Sequence, residues 1–129
     1  MIALGRRAFI AGSVAFAAAG PAAAMTRKEG GMFGLIGKMK AVPGQRDAML
    51  AILLESTDGM PGCLSYVVAK DPNDADGIWV TEVWDSRESH QASLQLPQVR
   101  DAIGRARPLI AGFESGTETE PVGGVGLGR

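Results

Sequence analysis

Residues 77–97 read GIWVTEVWDSRESHQASLQLP, and their change of periodicity decides how the chain folds. The first eight alternate with period 2: Ile78, Val80, Glu82 and Trp84 share one face, and Trp79, Thr81 and Val83 share the other, which predicts a strand. Asp85-Ser86, followed by Glu88 and Ser89, is a helix-start signal, so residues 86–96 are predicted to be a helix stopped by Pro97. This stretch holds both tryptophans and the single histidine, His90, together with one glutamate on the inward face.

Working outward, residues 33–42 (FGLIGKMKAV) form a strand ended by Pro43-Gly44, with Phe33, Leu35, Gly37 and Met39 on one face. Residues 45–57 are helical, with Ala48, Met49, Ile52, Leu53 and Ser56 at helical spacing. Turn residues 58–62 (DGMPG) stop that helix. Residues 63–70 (CLSYVVAK) are a second strand, rich in β-branched and aromatic residues. The acidic loop 71–77 has Asp and Asn at calcium-loop spacing, but Pro72 and the missing distal Glu favour a solvated hairpin connection. Beyond Pro97, residues 98–107 add a further helical turn or two, and residues 113–119 a last strand. The Gly-rich end, residues 121–129, is too rich in glycine to be a strand interior.

The order β-α-β-β-α-β predicts an α+β fold of ferredoxin-like type, an antiparallel four-stranded sheet with helices on one face. Both faces of the organising strand carry apolar groups, and helices cover only one. A second copy of the sheet is the simplest cover, so a homodimer closing as a dimeric α+β barrel is expected, with a cavity in each subunit between sheet and helices.

The 129 residues suffice for one domain. Residues 1–24 carry Arg6-Arg7 near their start, continue through an apolar run over residues 8–19 and end Ala22-Ala23-Ala24. That pattern predicts a twin-arginine signal peptide, and a run of this length falls short of the ~20 residues a membrane span needs. The expected organisation is signal 1–24, lead-in 25–32, barrel domain 33–120 and tail 121–129, with the mature protein periplasmic or secreted and no stable membrane span. Without residues 1–24, 11 Lys and Arg stand against 14 Asp and Glu, a net charge of −3. No basic cluster with interleaved aromatics occurs, which argues against a nucleic-acid partner. One cysteine, Cys63, allows no intrachain disulfide and reads as a strand residue, not a nucleophile. One His and one Cys make no metal-ligand cluster.

The element order, the Glu82-Val83-Trp84-Asp85-Ser86 strand end followed by His90, and the Pro43-Gly44-Gln45-Arg46-Asp47 helix opening resemble the antibiotic biosynthesis monooxygenase family over residues 32–119. Many of its members are described as quinol monooxygenases. The resemblance implies a dimeric barrel and a cofactor-independent monooxygenase that oxidises a small phenolic or quinol-type aromatic with O2. On that reading His90 handles the proton, because its ordinary pKa lies near neutrality. Glu82 orients it or acts as base with a pKa raised by burial. Trp84 and Tyr66 supply aromatic walls, and Tyr66 or Arg87 a hydrogen bond to the substrate oxygen.

Plainer readings stand beside these. His90 could be half-exposed or bridge the dimer, Glu82 could pair with an arginine across the interface, Trp84 and Tyr66 could be packing, and Asp85-Ser86 a cap. Haem degraders of the same superfamily use an Asn on the first strand and a ligating His late in the second helix; neither is present here. A non-catalytic binding or stress-response module on the same barrel is the rival reading, and a proton-shuttling isomerase or dehydratase a third.

Overall fold

A computed structural model describes residues 31–127. The predicted export segment and nearly all of the lead-in lie outside the described residues. The elements are β1 (Phe33–Ala41), α1 (Arg46–Glu55), β2 (Cys63–Lys70), β3 (Gly77–Trp84), α2 (Arg87–Ser93), α3 (Pro97–Ala106), a 3-10 turn (Arg107–Leu109) and β4 (Ile110–Thr119). The four strands form one antiparallel sheet in the order β2-β3-β1-β4, the ferredoxin-like arrangement.

The predicted period-2 face of β3 points at the helices: Ile78, Val80 and Trp84 are buried there with Phe33, Leu35, Met39 and Ala41 of β1. Two clusters result. One joins Met39, Ile78, Val80 and Ile110 to Met49 and Leu53 of α1 and Ala106 of α3. The other, at the far end of the sheet, holds Phe33, Leu35 and Trp84. Between them the wall is less filled, because the β1–β3 register sets Val80 opposite Gly37 and β4 answers with Gly116. A row of glycines across two strands leaves room above the sheet.

Four local expectations change. Of the residues at helical spacing in α1, Met49 and Leu53 are buried but Ala48 is exposed. The second helix ends at Ser93, after which Pro97 starts α3 at its first position, where its missing N–H costs nothing. β4 begins at Ile110, three residues early, because Ala41 pairs with Ile110 across a register shift that local sequence does not display. The acidic loop is a hairpin connection, but its carboxylates are engaged. Lys38 reaches Asp71, Asp74 and Glu114 at 3.0–3.2 Å, Trp79 Nε1–H donates to Asp71 at 3.1 Å, and Arg46 donates to the carbonyl of Asp74 at 2.8 Å. The hydrogen bond from Lys40 holds the Asp74 carboxyl well below the usual carboxylate range.

The opposite sheet face carries Ile36, Val67, Trp79, Thr81 and Val83 by register, with Val67 53% exposed. Among the described residues no helix is long and apolar enough to cross a membrane.

Candidate active site

One row of the sheet brings the site together. Tyr66 of β2 pairs with Glu82 of β3, Glu82 with Leu35 of β1, and Leu35 with Glu118 of β4. Residues directly opposite in antiparallel strands point to the same face, so a phenol and two carboxylates line up under the helices. The fourth member arrives from above. Ser86 accepts the backbone N–H of Ser89 at 3.1 Å and caps α2, and one turn of helix then carries His90 down onto the sheet.

Glu82, His90, Trp84 and Tyr66 all line one cavity of about 400 Å³ between sheet and helices. That is within the roughly 300–1,000 Å³ range of small-molecule sites. Its remaining wall is mostly apolar, including Leu35, Met60, Val99 and Ile103. Glu82 accepts a hydrogen bond from Trp84 Nε1–H at 2.9 Å, and its Oε1 lies 3.9 Å from His90 Nε2, too long for a direct hydrogen bond. Burial pushes the Glu82 carboxyl up to about 7, with the Trp84 hydrogen bond pulling the other way.

His90 is 3% exposed and packs its ring 5.2 Å from Phe33 and 5.4 Å, edge-on, from Trp84. Its carbonyl accepts Ser93 Oγ–H at 2.6 Å, which fixes the end of α2 over the cavity. Burial, helped by the neighbouring Arg87 charge, pushes the imidazole down to about 4, so it is neutral at physiological pH. This corrects the sequence expectation on its physical ground: the histidine is neither half-exposed nor poised near neutrality, and the group that titrates there is the glutamate.

Arg87, expected to reach a substrate oxygen, does not line the cavity. Its guanidinium grips Glu118 through two bonds, at 2.6 and 3.2 Å, and lies 4.6 Å from the Phe33 ring centroid. Its Nε is buried with no hydrogen-bond partner. The Tyr66 hydroxyl is held above its ordinary pKa by burial and then by the Glu82 charge, and so stays a donor. Cys63 donates weakly to the Ser65 carbonyl at 3.6 Å, and burial raises its thiol to about 11, the opposite of an activated nucleophile. Among the described residues no three His, Cys, Asp or Glu side chains are grouped so as to hold a metal ion.

Sequence reasoning missed Glu118, Ser93 and Met60. Glu118 is placed by strand register across β1, which no local pattern displays. Ser93 could have been found, since it follows His90 by three residues on one helical face.

The antibiotic biosynthesis monooxygenase family model matches residues 32–105, more than half of the chain. A structure from Chloroflexus aurantiacus J-10-fl, provisionally named an antibiotic biosynthesis monooxygenase, is 67% identical with a TM-score of 0.74. It covers 75% of this chain and 99% of its own. A Caulobacter crescentus CB15 structure of the same provisional name is 20% identical, with a TM-score of 0.66 over 72% of this chain and 92% of its own; at that identity the likeness carries the fold alone. A Synechocystis protein, sll1783, of uncharacterized function, is 24% identical over 78 residues. The match covers 58% of this chain and 53% of that relative, so the chain spans about half the length of the curated relative it matches.

Proposed function

This chain belongs to the antibiotic biosynthesis monooxygenase family, and on that premise we propose that it oxidises a small phenolic or quinol-type aromatic with O2, using Glu82 as the base. The observation that carries the reading is the Glu82 carboxyl, raised to about 7 inside an apolar cavity with His90 3.9 Å away. A general base works best with a pKa near the operating pH.

A substrate oxygen seated between Glu82 and His90 can contact both. The Glu82 carboxylate takes the phenolic proton, and the electron-rich anion passes one electron to O2. The two radicals combine to form a C–O bond, the O–O bond breaks, and water leaves. For a hydroquinone the products are a hydroxyquinone and water, and all four electrons come from the substrate. Neutral His90 and the protonated Tyr66 hydroxyl supply polar contacts to the substrate oxygens while the apolar wall excludes water, which strengthens each contact.

The test is oxygen uptake by residues 25–129 with a panel of hydroquinones and anthrols. Uptake above autoxidation that is lost in Glu82→Gln supports the reading. Binding in the cavity without uptake moves the assignment to a small-ligand-binding module, which the mostly apolar wall also suits.

The mature protein works, on the same reading, as a homodimer with the Ile36, Val67 and Val83 face covered by a second copy. Val67→Glu with Ile36→Glu then lowers the sedimentation coefficient to that of a monomer; an unchanged value removes this interface. Export rests on Arg6-Arg7. A reporter fused behind residues 1–30 should reach the periplasm, and an Arg6→Lys, Arg7→Lys pair that still exports it would discard the twin-arginine assignment.

A further inference from the structure

The cavity has a neighbour. Along the connection into β2 lies an open cleft lined by residues 57–61 and 63–66, and it shares two lining residues with the cavity: Met60 and Tyr66. Met60 and Tyr66 therefore border both the cleft and the chamber that holds Glu82.

The two residues are held differently. Tyr66 sits within β2, paired with Glu82. Met60 sits in the connection between α1 and β2, where the backbone is pinned on both sides of it. Gly59 has a positive φ of 70° and its carbonyl accepts Gln98 Nε2–H at 3.5 Å. Gly62 has a φ of 84°, its carbonyl accepts the Asp85 N–H at 2.8 Å, and a Cβ there would collide with the Ser89 side chain, so glycine is required. The Met60 carbonyl itself accepts the Cys63 N–H at 3.1 Å. The backbone is held, and what can move is the unbranched thioether, half-buried against Phe33, Leu35 and Trp84.

We infer that Met60 is the gate of the site: its side chain, swinging on a fixed backbone, admits small planar molecules from that cleft to Glu82 and sets the width of what enters. Such a gate passes flat one-ring aromatics with a rotamer change and resists wider ones, because displacing the loop would break the backbone hydrogen bonds that Met60 and Gly62 accept from Cys63 and Asp85. As a statement about substrates it rests on the oxygenase reading. As a statement about access it does not.

Access is measured without oxygen or substrate. In a Trp79→Phe background Trp84, 1% exposed on the cavity wall, is the single tryptophan, and acrylamide quenching of its emission reports entry of a small neutral molecule. Met60→Ala should raise the bimolecular quenching constant severalfold, and Met60→Leu, similar in volume but branched and stiffer, should hold it at or below that of Met60. Phe113→Ala, at the other end of the cavity, should leave it unchanged. Ile78→Ala, buried in the other cluster and off the cavity, controls for simple loss of stability. The gate is overturned if Met60→Ala quenches like the parent, if Phe113→Ala matches it, or if Ile78→Ala does. On the oxygenase reading Met60→Ala also raises kcat/KM for three-ring over one-ring quinols. Failure of uptake in every variant sinks that reading and leaves the quenching result standing.

Discussion

Glu82 and His90 face each other across 3.9 Å and are never charged at the same pH. Burial drives the carboxyl up to about 7 and the imidazole down to about 4. Two exposed partners would form an ion pair at pH 5.5; here both are neutral. Above about 7 the pair carries one negative charge on Glu82, and only below about 4 a positive one on His90. What resembles a salt bridge by distance is a proton acceptor beside a neutral imidazole.

The lone histidine makes the first consequence directly readable. Its imidazole 15N shifts should report a neutral ring from pH 8 down to 5, with protonation near 4. A midpoint near 6.5 would place His90 in water and remove the inversion.

Trp84 should tune its neighbour. Its indole N–H stabilises the Glu82 carboxylate, so Trp84→Phe takes away a charge-assisted hydrogen bond and should move the carboxyl titration, followed by 13C NMR, further above 7. A shift downward, or none, would show that the indole bond does not bear on Glu82.

Stability should depend on pH with a definite sign. The folded protein holds the Glu82 proton up to about 7 where the unfolded chain releases it near 4.5, so stability falls as pH rises through that window. His90 does the reverse between about 4 and 6.5, because the unfolded chain binds the proton first. The two slopes oppose each other between 4.5 and 6.5, and the uncompensated loss lies from there to about 7 and is complete just above it. Glu82→Gln should remove the carboxyl's contribution, worth up to about 3 kcal/mol, and leave stability rising with pH from 4 to 6.5. Melting curves from pH 4 to 9 decide it; parallel profiles for both proteins would contradict it.

Much of this was legible in the chain and some could not be. The alternation from Ile78 to Trp84 placed Glu82 and Trp84 on the helix-facing side, and β2 ran from Cys63 to Lys70 as its composition implied. Tyr66 was found as a strand aromatic without its partner, because register is set between strands 16 residues apart. The burial of His90 depends on the path of α2 over the sheet, and the exchange of acidities depends on the enclosure that path creates. Arg87 was misplaced for a related reason: its partner Glu118 lies 31 residues on, across β1.

That pair should matter for folding. Both side chains are nearly enclosed, at 12% and 15% exposure, and removing one partner of a buried pair strands the other, so Glu118→Ala should cost about 3 kcal/mol in a denaturant melt. Arg87→Met with Glu118→Leu should recover most of it, since a packed apolar pair carries no desolvation penalty. Equal losses in the single and double variants would assign the cost to packing alone.

The central claim is that Glu82 does its work as a base with a pKa near neutrality. The direct measurement is the pH dependence of quinol-driven oxygen uptake, corrected for autoxidation, for the protein and for Glu82→Gln. The account predicts kcat/KM rising tenfold per pH unit to a plateau above about 7, no second limb from His90 between 5 and 9, and a loss of about 10²–10⁴ in the variant. Uptake that is independent of pH, or that survives in Glu82→Gln, would contradict it.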